Sequence, residues 1–510
     1  MGLVRTVVAA GVLGVTYLGN TYASANSMPN LLFEIAAGGA LAAVLVPSLS
    51  RALARGDVAG ADDTASAFAN IALLALTPVV AAGLLLRRPL MLLLTSGVAD
   101  PAVRADEVKL GAFLLLFFIP QVWLYAVGIV LTGVLHSRNR FSGPALAPLL
   151  SSLVVTASYL VYAAAEGGEG RDLGRVTGVG KLILGAGTTL GVAVLSLSLL
   201  IPARRLGIRW RPVVRLDRSA RETVQKLLTS ALVAVAAQQL MLGVVLVAAN
   251  RVAGGVVAYQ LAFTILLLPW AVLAVPVATT AFPGMAAAVG RDDSGDFAAR
   301  CSDAVRSVML VTFAAAAVLF AAATPVSRLV LLVGAGSRPG ASMLPPTVAA
   351  FAPGLVGYGL FALLTRAFYA RGDGRSPATG AAAGFGIAIA CNVVAVKLFH
   401  GSELIAALGA SFSIGMTAAG ALMLVRLARS SGAAALSGVV AAVGRGLIAA
   451  LASAPAGRWA ARVASGGGVW SSAAGTIISS LVVVAVYVLI QRLLGDREIA
   501  RLAAAWRETR

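Results

Sequence analysis

The sequence predicts an all-helical integral membrane protein of about fourteen transmembrane helices, built as two parallel six-helix lobes plus two C-terminal helices. Three observations predict it. Of the 510 residues 59% are hydrophobic and 12% charged, and the mean hydropathy is +0.91, so the main solvent of the chain is lipid. The apolar runs reach the roughly 20 residues that a helix needs to cross a ~30 Å hydrocarbon core, and they lack the alternation of barrel strands. The third observation is a repeat. Leu131-Thr132, Arg138 and Pro144 recur as Leu364-Thr365, Arg371 and Pro377, displaced by 233 residues; Pro47, Arg55 and Asp57 recur as Pro283, Arg291 and Asp293, displaced by 236. Two patterns sharing nearly one offset indicate a duplicated membrane unit.

The predicted spans are 1–25, 29–50, 64–86, 110–135, 144–165, 178–203, 225–250, 257–285, 303–333, 345–370, 377–399, 403–428, 435–457 and 470–494. Gly2 already opens the first run, with no basic n-region or cleavage site before it, so the first helix is either short or starts upstream of Met1. Spans one to six form an N-lobe over 1–203, and a basic cytoplasmic linker follows over 204–226. Spans seven to twelve form a C-lobe over 227–430, and 431–510 carries the last two helices and a basic tail. An even number of spans per repeat keeps both copies in one orientation, related by a pseudo-twofold along the membrane normal. Such lobes can open a central cavity to either side by rocking.

The net charge is +19. Alternate loops carry most of the Lys and Arg, which places both termini in the cytoplasm and reads the excess as topogenic and as contact with anionic lipid. Nucleic acid is not an expected partner, because aromatic residues do not interleave the basic ones. Cys301 and Cys391 fall at a helix edge and inside a span, an arrangement that does not suggest a disulfide. With two histidines, His136 and His400, no metal-ligand cluster and no phosphate loop, the chain is expected to be a transporter that needs no metal or cofactor.

Candidate functional residues are the polar groups that apolar spans tolerate poorly. Glu34 is the only acid placed past the first residue of a predicted span; a central charge costs ~3 kcal/mol by insertion scales, and Arg5 is the nearest candidate partner. Asn20, Asn30, Gln260 and Thr264 are further cavity candidates. Pro269, Pro276 and Pro283 recur every seven residues on one face and should bend span eight, exposing carbonyls. The duplicated turns place Arg138, Arg140, Arg371, Asp373 and Arg375 on the cytoplasmic side, as topogenic anchors or as a gate and landing site for an anionic headgroup, which the guanidinium fork suits.

Gly2-Leu3-Val4-Arg5, Pro29-Asn30-Leu31-Leu32, Gly38-Gly39-Ala40 up to Pro47, Asn139-Arg140-Phe141-Ser142-Gly143-Pro144, Phe368-Tyr369-Ala370-Arg371 to Pro377, and Ser413-Ile414-Gly415 together resemble the MurJ/MviN lipid II flippases of the MOP exporter superfamily. The resemblance runs from about residue 1 to 430. It implies fourteen helices in two lobes, a cationic central cavity, and export of the undecaprenyl-pyrophosphate-linked peptidoglycan precursor across the bacterial plasma membrane. Cell-wall synthesis proteins are further expected partners. The chain departs from the family pattern: Phe33 and Glu34 stand where arginines usually follow Pro-Asn-Leu-Leu, Asn20 replaces an acid, and Thr264 replaces a cavity arginine. Of that constellation Arg5 remains. The resemblance therefore implies a divergent paralogue, with an exporter of another lipid-linked glycan or a drug, or a non-transporting envelope scaffold, as the alternatives.

Overall fold

The computed structural model describes residues 2–167, 173–208, 210–214, 218–334 and 341–495, and every regular element among them is helical. The chain divides into two compact units, Met1–Val257 and Ala258–Arg510.

In the first unit α1 (Gly2–Leu13) stops early because Gly14 turns into the left-handed region at φ +77°, a conformation that glycine adopts without strain. Thr16 is extended and caps α2 (Tyr17–Phe33), so the predicted span 1–25 is split. Pro29, expected to open the second span, lies inside α2 instead. A π-turn, Glu34–Gly38, joins α2 to α3 (Gly39–Ala54) in one continuous helix. There follow α4 (Val58–Leu85), the short α5 (Arg87–Leu94), α6 (Pro101–Phe118) and α7 (Gln121–Ser137). Then come α8 (Ser142–Glu166), α9 (Gly178–Leu197), α10 (Leu200–Arg205) and α11 (Arg218–Ala249). Asp100 starts α6 by accepting from the Ala102 and Val103 amides at 2.8 and 3.3 Å, with Pro101 in its first turn. That cap lies well before the expected start at 110, and it draws Glu107 into the helix. Leu45, Leu49, Phe68, Val130, Leu131 and Leu135 form a core between α3, α4 and α7.

The second unit begins within α12 (Gly255–Pro269), which passes through a π-turn, Trp270–Ala274, into α13 (Val275–Gly290). Next are α14 (Ser294–Ala321), α15 (Ala323–Gly334), α16 (Leu344–Phe351) and α17 (Gly354–Ala370). The series ends with α18 (Arg375–Leu398), α19 (Gly401–Ser431), α20 (Val439–Ala464) and α21 (Val469–Leu493). The predicted span 303–333 is two helices, since Pro325 has no N–H for the Ala321 carbonyl. Likewise Pro353 leaves the Ala349 carbonyl without an α-helical donor, and α16 and α17 meet at 42°. Lipid gives no hydrophobic drive between helices, so close backbone approach supplies the packing. At Gly357 of α17 a Cβ would fall 2.5 Å from the backbone of Thr417 in α19.

The duplication reappears in backbone geometry. Asp57 N-caps α4 through the Gly60 amide, and Asp293, 236 residues later, N-caps α14 through the Asp296 amide, each at 2.8 Å. In the turns before these caps the Asp57 and Asp293 amides donate back to Ala52 and Ala288; after α7 and α17 the Arg140 and Asp373 amides donate to Leu135 and Phe368. All four turns put a residue at positive φ, Gly56, Asp292, Asn139 and Gly372, which is the Schellman helix stop. The π-turns at Glu34 and Trp270 share the 236 offset.

Among the described residues eleven stretches are long and apolar enough to cross a membrane, or twelve with the bent pair α16–α17 taken as one. The difference from the expected fourteen has two sources. α1 spans 12 residues, and α2 and α3, divided by the π-turn, are individually short.

Candidate functional site

The interior of the first unit carries a polar layer along α2. Asn20, fully buried, donates to the Val252 carbonyl at 2.8 Å and accepts from the Val256 amide at 3.0 Å. Asn250 donates to Ser24 Oγ at 2.9 Å. These bonds tie the α11–α12 turn to α2 and consume the Asn20 amide, so Asn20, expected to face a cavity, is a structural clamp. Tyr22 Oη lies 2.8 Å from Tyr159 Oη and 2.6 Å from Thr188 Oγ1. Thr21 donates to Glu107 Oε1 at 3.1 Å, and among the described residues Glu107 Oε2 accepts no hydrogen bond. Glu107 is wholly buried, so Glu34 is not the only acid inside the helices.

Beside this layer lies a cavity of about 610 Å³ among α2, α7, α8 and α9. Asn30 and Glu34 line one wall, Tyr125, Gly128, Thr132 and His136 of α7 another, and Ser196 of α9 a third. Glu34 lines it from the C-terminal end of α2, as the first residue of the π-turn. Asn30 is exposed and Glu34 half-buried. Among the described residues Arg5 and Glu34 form no ion pair. The break at Gly14 accompanies it: α1 packs chiefly on α8 rather than along α2.

In the second unit Gln260 and Thr264 are half-buried on α12, with Thr264 Oγ1 bonded to the Gln260 carbonyl at 2.8 Å. Pro269 closes α12, Pro276 opens α13 and Pro283 lies inside it, so the expected irregularity takes the form of a π-turn between the first two. Thr279 and Thr280 hydroxyls bond the Val275, Pro276 and Val277 carbonyls around that stretch. Cys301, expected at a helix edge, is buried with its Sγ 3.5 Å from Met285 Sδ.

The charged turns are built differently in the two copies. Arg138 donates to Asp62 Oδ1 at 2.6 Å, and only 13% and 11% of the two side chains is exposed. Arg371 is exposed, donates to Ser430 and Ser431 Oγ at 2.9 Å, and stands 5.5 Å over the Phe297 ring. Asp373 caps α18, accepting from the Arg375 and Ser376 amides and the Ser376 hydroxyl. Burial pushes the Asp373 carboxyl up, but the Ser376 and Arg375 hydrogen bonds and the Arg371 charge outweigh it and hold it below the usual carboxylate range. Arg140 and Arg375 are exposed and make no ion pair among the described residues. Sequence reading missed Asp62 and Glu107. The Asp100-Pro101 helix start was the signal that could have found Glu107.

Two helical units with matching π-turns and matching helix stops, built from helices long and apolar enough to cross a membrane, define a duplicated polytopic membrane protein. The description "Lipid II flippase MurJ" belongs to the family model that matches residues 9–479, and the chain belongs to that family. A probable lipid II flippase MurJ of Rhizobium tropici is 24% identical over 383 residues, covering 74% of this chain and 69% of that relative. A solved lipid II flippase MurJ in an inward closed conformation aligns with TM-score 0.73 and 17% identity over 97% of both chains. An inward-facing multidrug resistance MATE transporter of the MOP superfamily aligns with TM-score 0.68 and 15% identity over 85% of this chain and 94% of the other. These likenesses show the shared fold.

Proposed function

We propose that this chain is a lipid II flippase, a transporter rather than an enzyme, which moves the lipid-linked peptidoglycan precursor from the inner to the outer leaflet of a bacterial plasma membrane. The family match over residues 9–479 carries the reading. On this reading fourteen spans form two like-oriented lobes, over 1–203 and 227–430 with two helices after them, and the basic loops hold both termini in the cytoplasm. Alternating access follows from rocking of the lobes. The π-turns at Glu34–Gly38 and Trp270–Ala274 support it, because a π-turn weakens the regular i→i−4 ladder and gives each long helix a place to bend.

Headgroup handling falls to cations. Arg5 supplies positive charge within the first lobe, while the exposed Arg140 and Arg375 meet the pyrophosphate at the cytoplasmic entrance. Arg138 holds Asp62 and Asp373 caps its helix, so both act by fixing the turns that present the exposed arginines. Depletion of the protein tests the reading: lipid II should accumulate in the membrane. Accumulation of a different lipid-linked glycan, or a septation defect with lipid II unchanged, would overturn it.

A further inference from the structure

The cavity of the first unit has a chemistry that headgroup handling leaves unused. Its walls are largely apolar, with Phe33, Ile129, Leu195, Leu199, Pro144 and Pro148, and its one carboxylate is Glu34. Ser196, on the same lining, is 1% exposed, and its Oγ has no hydrogen-bond partner among the described residues. An orphaned buried hydroxyl is costly unless something bonds it. Gly128 lets α7 approach α9 closely beside the cavity, since a Cβ there would sit 2.8 Å from that Oγ.

The duplicate copy shows the same positions closed. Under the two offsets Glu34 corresponds to Trp270, Tyr125 to Tyr358 and Gly128 to Phe361. Trp270 stacks on Tyr358 with centroids 4.7 Å apart and planes 18° from parallel, and Phe361 packs against the core of the second unit. One copy of the repeat thus fills this place with aromatic rings, whereas the other keeps a carboxylate, a glycine and an unbonded hydroxyl around a space of about 610 Å³, large enough for a small ligand.

We infer that the cavity among α2, α7, α8 and α9 is a binding site for a small amphiphilic organic ammonium ion. The Glu34 carboxylate takes the N–H donors and the charge, the Thr132 hydroxyl takes a remaining donor, and the aliphatic and aromatic walls take the hydrocarbon body. An anion is disfavoured at the Glu34 wall, and a neutral apolar body leaves the carboxylate without a counter-charge.

Three ligands of one shape test this on the full-length protein in nanodiscs near neutral pH: 1-adamantylamine, 1-adamantanol and adamantane-1-carboxylate, titrated calorimetrically. The amine should bind saturably at one site per chain, at least tenfold tighter than the alcohol, and the carboxylate should show no saturable binding. Glu34→Gln should weaken the amine about tenfold and leave the alcohol unchanged. Equal binding of amine and alcohol by the unmodified chain would overturn the inference without reference to any variant, as would an amine affinity untouched by Glu34→Gln, or no amine binding at all.

Discussion

Arg138 and Arg371 occupy one position of the repeated turn, yet their surroundings give them different energetic weight. Arg138 donates to a nearly buried Asp62 carboxylate, so Arg138→Ala removes a charge-assisted hydrogen bond and should cost about 2 kcal/mol. Arg371 is exposed and bonded to serine hydroxyls, and Arg371→Ala should cost within about 0.5 kcal/mol. Thermal unfolding of the two variants in detergent checks the contrast; equal losses would show that the two turns share one electrostatic role. Asp373 supplies a pH-dependent counterpart. Its carboxyl is held below the usual range in the folded chain, so its contribution is complete above about pH 4 and is lost as the pH falls through the folded value. The difference in melting temperature between the unmodified chain and Asp373→Asn should therefore be full at neutral pH and shrink in acid. A gap that stays constant into the acid range would contradict the assignment.

At the scale of elements, the π-turns are the least conventional features. Removing one residue from a π-turn restores the α-helical ladder and rotates everything beyond it by about 100° relative to what precedes. Deletion of Ala36, or of Val272 in the second unit, should leave the protein inserted and monodisperse but stop complementation of a depleted strain; intact complementation by both deletions would remove the π-turns from the mechanism. The turn at Glu34 was not legible in the sequence, because it lies inside an apolar run where a single extra residue leaves the composition unchanged, whereas Pro269 and Pro276 announced the one at Trp270 only as a bend. The Schellman turns were legible as a repeat. Their left-handed positions and the caps at Asp57 and Asp293 demand particular residue types, so the pattern survives duplication. The helix ends at Gly14 and Asp100-Pro101 carried equally specific signals. Weighing hydropathy above those signals moved the first break and left Glu107 outside its helix.

For the whole molecule, composition was enough to give the fold class, and the duplication read from the sequence reappears as matching helix stops and π-turns in the two units. The candidate site was only partly legible. Glu34 and Asn30 do meet at one cavity, but the pairing of Arg5 with Glu34 depended on helix packing that charge arithmetic does not contain. The account as a whole stands on transport of lipid II, and reconstitution measures that directly. Purified protein in liposomes containing headgroup-labelled lipid II, with an impermeant quencher added outside, should let the quencher reach label from both leaflets, and Arg140→Ala with Arg375→Ala should slow the process at least tenfold. Quenching confined to the outer-leaflet fraction, identical to that of protein-free liposomes, would contradict the account.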